Sequence, residues 1–257
     1  ALGFGEPQVQ AGLVDRQLMA LLQEALDGLG PEDGALRARV LARLCLELTF
    51  SDQTHLMEAL SLEAVEMARR LGEEGPLASA LRARWIAVWG PDGLDERTAL
   101  ANEILELART TGDREMELVG RARRAAGAIE AGDIAAAEAD IAAHAELAEQ
   151  LRMPYHQWVA ASMRAMRTLL QGSPGRAEER AQEALALLPA RLDAIYTHLN
   201  QVTQIRWDQG RLGELQATWQ AMVDRFPQAS FARGWLCLSE VELDRREDAH
   251  RWLRSLV

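Results

Sequence analysis

The strongest constraint on the fold is that the chain repeats itself at 40-residue intervals. Residues 129–147 read IEAGDIAAAEADIAAHAEL and residues 169–187 read LLQGSPGRAEERAQEALAL. Each places a glycine, an alanine five residues on, and a small or apolar residue four beyond that: Gly132, Ala137, Ile141 and Gly172, Ala177, Ala181. Steps of 40 back from Gly132 reach Asp92 and Asp52, and the series runs forward from Gly172 to Gly210 and Asp244 at intervals of 38 and 34. A helical pattern precedes each marker and another follows it. Leu41, Leu44, Cys45 and Leu48 fall at i, i+3, i+4 and i+7 on one helix face before Asp52, and Ala177, Ala181, Ala184 and Leu185 do likewise after Gly172. Gly and Asp suit the short turn inside a helix pair. Pairs are separated by Gly30-Pro31, Gly75-Pro76, Gly112-Asp113, Pro154, Pro189 and Pro227.

No stretch alternates with period two, so no strand is expected. The pattern predicts an all-α chain: an extra N-terminal helix near 9–29, then six helix pairs stacked as a right-handed α-α superhelix, with residues 1–257 as one domain. A two-helix unit cannot bury its apolar face alone, and its neighbours supply the missing core. HEAT and armadillo arrays share the repeat length. The Gly-x4-Ala turn and the small residue opening the second helix's packing face favour a tetratricopeptide-like unit. Cys45 and Cys237 lie seven residues before Asp52 and Asp244, where the other repeats hold Trp85, Ala125, Ala165 and Thr203. That place reads as the point of closest helix approach, so the thiols are expected to be buried and unbridged. Five repeats of spacing would hold them roughly 40–50 Å apart. Free thiols fit a reducing, cytoplasmic setting.

Charge narrows the function. A net charge of −11 disfavours nucleic acid and anionic membrane, and no apolar run approaches the roughly 20 residues that cross a bilayer. All 28 cationic side chains are Arg; the sequence has no Lys. A Walker A loop and Schiff-base chemistry both need Lys, so neither can be housed here. His55, His144, His156, His198 and His250 are dispersed, without metal-ligand spacing, and no nucleophile elbow occurs. The sequence therefore calls for no catalytic residue, no metal and no cofactor.

Two features point to binding. Arg84, Arg124 and Arg164 recur at 40-residue intervals, eight residues before the markers, where the outer repeats hold Leu44, Val202 and Leu236. They form either an anion-binding stripe or an internal ladder paired to carboxylates and helix ends, because an unpaired buried charge is too costly. In DAIYTHLNQVTQIRWDQG, Thr197, Asn200, Gln204 and Trp207 share a polar face opposite Ile195, Leu199 and Val202. That face reads as a concave wall for a sugar-like or peptide ligand, or as a merely solvated surface. Trp158, beside Tyr155 and His156, could extend the wall, while Trp85 and Trp89 could fill core space. Trp252, Leu253 and Leu256 near the C-terminus could meet another segment or a second copy, giving a homo-oligomer through the chain ends.

The segments 11–44, 80–115 and 154–172 (the last reading PYHQWVAASMRAMRTLLQG) resemble the C-terminal helical-repeat region of bacterial MalT-like and LuxR-type ATPase transcriptional regulators. The same region is also found attached to nucleotide-cyclase proteins. The resemblance, with the absence of an initial Met, implies a sensor arm cut from a larger protein. Its expected partners are other proteins or its own ATPase module, or else a small-molecule inducer. Ligand binding would bias the curvature of the superhelix.

Overall fold

In the computed structural model, which describes residues 15–51, 53–227 and 230–256, every regular element is helical. Helix α1 (Arg16–Leu29) leads. Six pairs follow: α2 (Ala35–Glu47) with α3 (Thr54–Leu71), α4 (Glu74–Ala87) with α5 (Leu94–Thr111), and α6 (Arg114–Glu130) with α7 (Ile134–Gln150). Then come α8 (Pro154–Leu170) with α9 (Pro174–Leu187), α10 (Leu192–Asp208) with α11 (Gln216–Arg225), and α12 (Ser230–Glu242) with α13 (Arg246–Arg254). The all-α helical-repeat reading therefore holds element by element. Of the expected leading helix, residues 9–14 lie outside the described residues, as does the turn marker Asp52.

The turns show why glycine recurs. Gly132, Gly172, Gly210 and Asp244 all adopt left-handed backbone, with φ of 78°, 76°, 64° and 55°. In that region a Cβ is penalised and glycine is not. A second series separates the pairs: Gly72, Gly112 and Arg152, again 40 residues apart, with φ of 68°, 71° and 51°. Gly72, not Gly75-Pro76, therefore divides the second and third helices from the fourth. Gly75 and Pro76 lie in the first turn of α4, where the N–H that proline lacks has no intrahelical partner anyway. Asp92 also differs from its equivalents. It sits in a 3₁₀ turn over Pro91–Gly93, and a Cβ on Gly93 would collide with the Val88 carbonyl oxygen. Asp15, Asp113 and Asp133 cap α1, α6 and α7 by accepting the N–H groups of Leu18, Met116 and Ala136.

The chain divides into two compact units between Ala160 and Ala161, inside α8. In the first unit each helix from α1 to α7 packs on the next, and α2 also packs on α4. That additional contact stacks the first helices of successive pairs, which is how a repeat array closes its core. Leu41, Leu44, Cys45 and Leu48 are buried there as their spacing predicts, with Leu81, Leu100 and Ile104. In the second unit α9 packs on α10, and α12 packs on both α11 and α13. Its main core gathers Tyr196, Trp219, Val223, Phe226 and Leu236.

The close-approach column is buried throughout: Cys45, Trp85, Ala125, Ala165, Thr203 and Cys237. Its one bulky member, Trp85, is roofed by the Arg123 guanidinium 4.8 Å from the ring centroid. Both thiols are free. Cys45 donates to the Ala83 carbonyl, and burial pushes its thiol up to about 12; burial also raises Cys237. A thiolate is the reactive form. A thiol-exchange reagent at neutral pH should therefore leave Cys45 untouched over hours in the native protein and titrate two thiols at once in denaturant. Rapid native modification of Cys45 would contradict this packing.

Candidate functional site

The arginine series does two different things. Arg84, on α4, lies between the second helices of two pairs. Its Nε and Nη2 donate to Glu96 of α5 at 2.6 and 3.1 Å, while Nη1 reaches the Glu58 carbonyl and Ser61 Oγ of α3, both at 3.3 Å. Arg124 repeats the arrangement one pair later. Its Nε and Nη2 grip both oxygens of Asp140 on α7 at 2.6 and 2.8 Å, and Nη1 faces Asn102 of α5 at 3.5 Å. Arg121 adds a third contact to Asp140 at 3.3 Å. The Asp140 hydrogen bond raises the Arg124 pKa above its ordinary value. Planar forks bound bidentate to carboxylates hold these residues in place. The internal-ladder reading describes Arg84 and Arg124, whose guanidinium groups are committed to the protein itself.

Arg164 stands apart. It is exposed at the equivalent place on α8, and its guanidinium has no ion-pair or hydrogen-bond partner among the described residues. Only its carbonyl is engaged, by Thr168 Oγ1 at 2.8 Å.

In the second unit, α10 turns differently from its apolar pattern. The deeply buried residues are Ala194, Tyr196, Gln201, Thr203 and Ile205, whereas Ile195 is exposed and Leu199 and Val202 are half-buried. Gln201 explains the rotation, because its Nε2 donates to the Ser162 carbonyl of α8 at 2.7 Å and so belongs inside. On the outer side, Asn200 donates to the Tyr196 carbonyl and accepts from Trp235 Nε1 at 3.2 Å. Trp207 is 49 % exposed and meets Trp235 edge-to-face, ring centroids 5.5 Å apart. Thr197 and Gln204 are half-buried beside them, Gln204 donating to Asp208. Asn200, Trp207 and Trp235 thus form one braced aromatic surface. Leu238 and Val241 of α12 are exposed one and two turns beyond Trp235.

Trp158 does not face solvent. It is 6 % exposed in the first unit, with its ring 5.4 Å from Tyr155. Trp158 is therefore buried against half-buried Tyr155 and forms no open wall. The structure also joins two histidines that look unrelated in sequence. His144 of α7 is fully buried, with Nδ1 3.1 Å from the Leu118 carbonyl and Nε2 3.1 Å from the His156 carbonyl. The two rings sit 5.4 Å apart. A histidine 12 residues before another, across a pair boundary, is the signal that sequence reading passed over. Trp89 is exposed at the 3₁₀ turn and carries Arg97 5.0 Å over its ring, with Arg97 paired to Glu130 at 2.7 Å. Among the described residues no group of three or more His, Cys, Asp or Glu could hold a metal ion, and no helix is long and apolar enough to cross a membrane.

The chain matches no model of a known protein family and no curated protein sequence.

Proposed function

We propose that this chain is a non-catalytic interaction arm that engages a protein partner, and that it acts as the sensor arm of an ATP-dependent transcriptional regulator of the kind its sequence resembles. The helical-repeat architecture supports this reading, since stacked pairs present long side-chain surfaces and rigid helices. The observation that carries it is the braced aromatic surface of the second unit. An indole left half exposed, held edge-to-face by Trp235 beside an oriented Asn200, has the character of an interface hot spot.

The test is capture of partners by the wild-type chain and by Trp207→Ala, with melting temperature as the control for folding. The substitution should leave the fold intact, because the side chain is half exposed, and weaken a captured partner on the order of 30-fold or more, the scale of a hot-spot truncation of about 2 kcal/mol. A partner held equally by both proteins would remove this surface from the interface. A melting-temperature rise with a sugar, nucleotide or small acid, lost in Trp207→Ala, would move the assignment to the small-molecule inducer reading.

A further inference from the structure

The ladder is broken in one repeat, and the break is chemically specific. Helices α6 and α7 begin at residues 114 and 134, and α8 and α9 at 154 and 174, so the two pairs superpose in sequence with a shift of 40. The Arg124–Asp140 pair therefore maps onto Arg164 and Arg180. By a shift of 80, the Arg84–Glu96 pair maps onto Arg164 and Arg176. Both places that hold a carboxylate in the earlier repeats hold an arginine here. Arg180 Nη1 donates to Thr168 Oγ1 at 2.8 Å, and that hydroxyl donates to the Arg164 carbonyl, so Arg180 reaches within one turn of Arg164. Arg164 and Arg176 are exposed and without a partner among the described residues. The nearby carboxylates do not neutralise them. Glu178 is bidentate with Arg206 at 2.5 and 2.8 Å, and Glu179 and Glu183 bond to neither arginine.

We infer that Arg164, Arg176 and Arg180 form a receptor for carboxylate side chains of an acidic segment in a partner protein, which supplies from outside the group that Glu96 and Asp140 supply from within. In a chain of net charge −11, three uncompensated guanidinium groups on adjoining helices are a local inversion of sign. Such an inversion steers an acidic segment to this place and away from the rest of the surface. The inference rests on the partner-binding reading above and names a second contact for that partner.

The probe is a fluorescent peptide carrying a run of glutamates, followed by anisotropy at about 25 and about 250 mM salt, a range over which exposed charge pairs become screened. Wild type should bind at low salt and weaken on the order of tenfold at high salt. Arg164→Gln should weaken binding about tenfold, while Arg109→Gln, which removes the same charge from an exposed pair in the first unit, should not. Arg180→Asp rebuilds the Asp140-type pair and should abolish binding with an unchanged or raised melting temperature; Arg180→Gln serves if that variant fails to fold. Binding that survives in both Arg164→Gln and the Arg180 variant overturns the inference. So does wild-type binding of inorganic phosphate without the peptide, or self-association in place of peptide binding. A partner lost in Trp207→Ala but held by Arg164→Gln would overturn this receptor and leave the arm reading standing.

Discussion

Trp219→Ala should be the most damaging single truncation in the second unit, lowering its stability by about 3–5 kcal/mol, the range for an aromatic removed from a packed core. Trp219 is fully buried. Its ring stacks on Trp235 at 6.3 Å, meets Phe231 edge-on at 6.3 Å, and donates from Nε1 to Thr203 Oγ1 at 3.2 Å. Alanine would leave a cavity, forfeit the aromatic contacts, and strip a buried hydroxyl of its donor. The expected readout is a fall in melting temperature of about 10 °C or more, with loss of near-ultraviolet circular dichroism from the tryptophan cluster. Because Trp235 braces Trp207, the same variant should also weaken any partner that Trp207 holds. A cost below about 1 kcal/mol would mean that the cluster is not packed as described.

Asp140→Ala should rank second, at about 2–3 kcal/mol, below the ~3–5 kcal/mol of a fully buried broken pair. Asp140 is 3 % exposed and receives Arg124 through two hydrogen bonds and Arg121 through a third contact. Its loss leaves the Arg124 guanidinium without its anion, while Arg121 keeps Glu117 at 2.7 Å. The Arg124 side chain is 40 % exposed, so water recovers part of the loss. Chemical denaturation would measure the difference. Adding Arg124→Ala to Asp140→Ala should restore about 1 kcal/mol, because the second change removes a stranded charge. If the double variant is as unstable as the sum of the two singles, the pair is not coupled.

Helix placement was legible because it depends on local rules. Apolar spacing set each buried face, and the left-handed residue between helices favours glycine, with Arg152 and Asp244 as the exceptions. Gly75-Pro76 misled because proline marks a helix's first turn as readily as a break. Side-chain partners were less legible. Arg84 finds its carboxylate 12 residues on and Arg124 finds its own 16 residues on, two offsets that both reach the same space between second helices. Periodicity alone does not choose between them. The orientation of α10 differs because Ile195, Leu199 and Val202 were set opposite the polar face, whereas the buried side includes the Gln201 amide, which is at home wherever it satisfies a backbone carbonyl. The singular position of Arg164 can be seen in the letters once the repeats are aligned on their carboxylates, with Arg176 and Arg180 standing where acids stood before.

That the division between the two compact units falls within α8 has a practical corollary for dissecting the molecule. A cut at Ala160 would halve a helix, exposing unfinished backbone and dividing Trp158 from Ala165 and Leu169 on the same rod. Shortened versions meant to isolate one half should keep the whole rod and end at a loop, Arg152 for one and Gly172 for the other, so that each piece carries its own copy of α8.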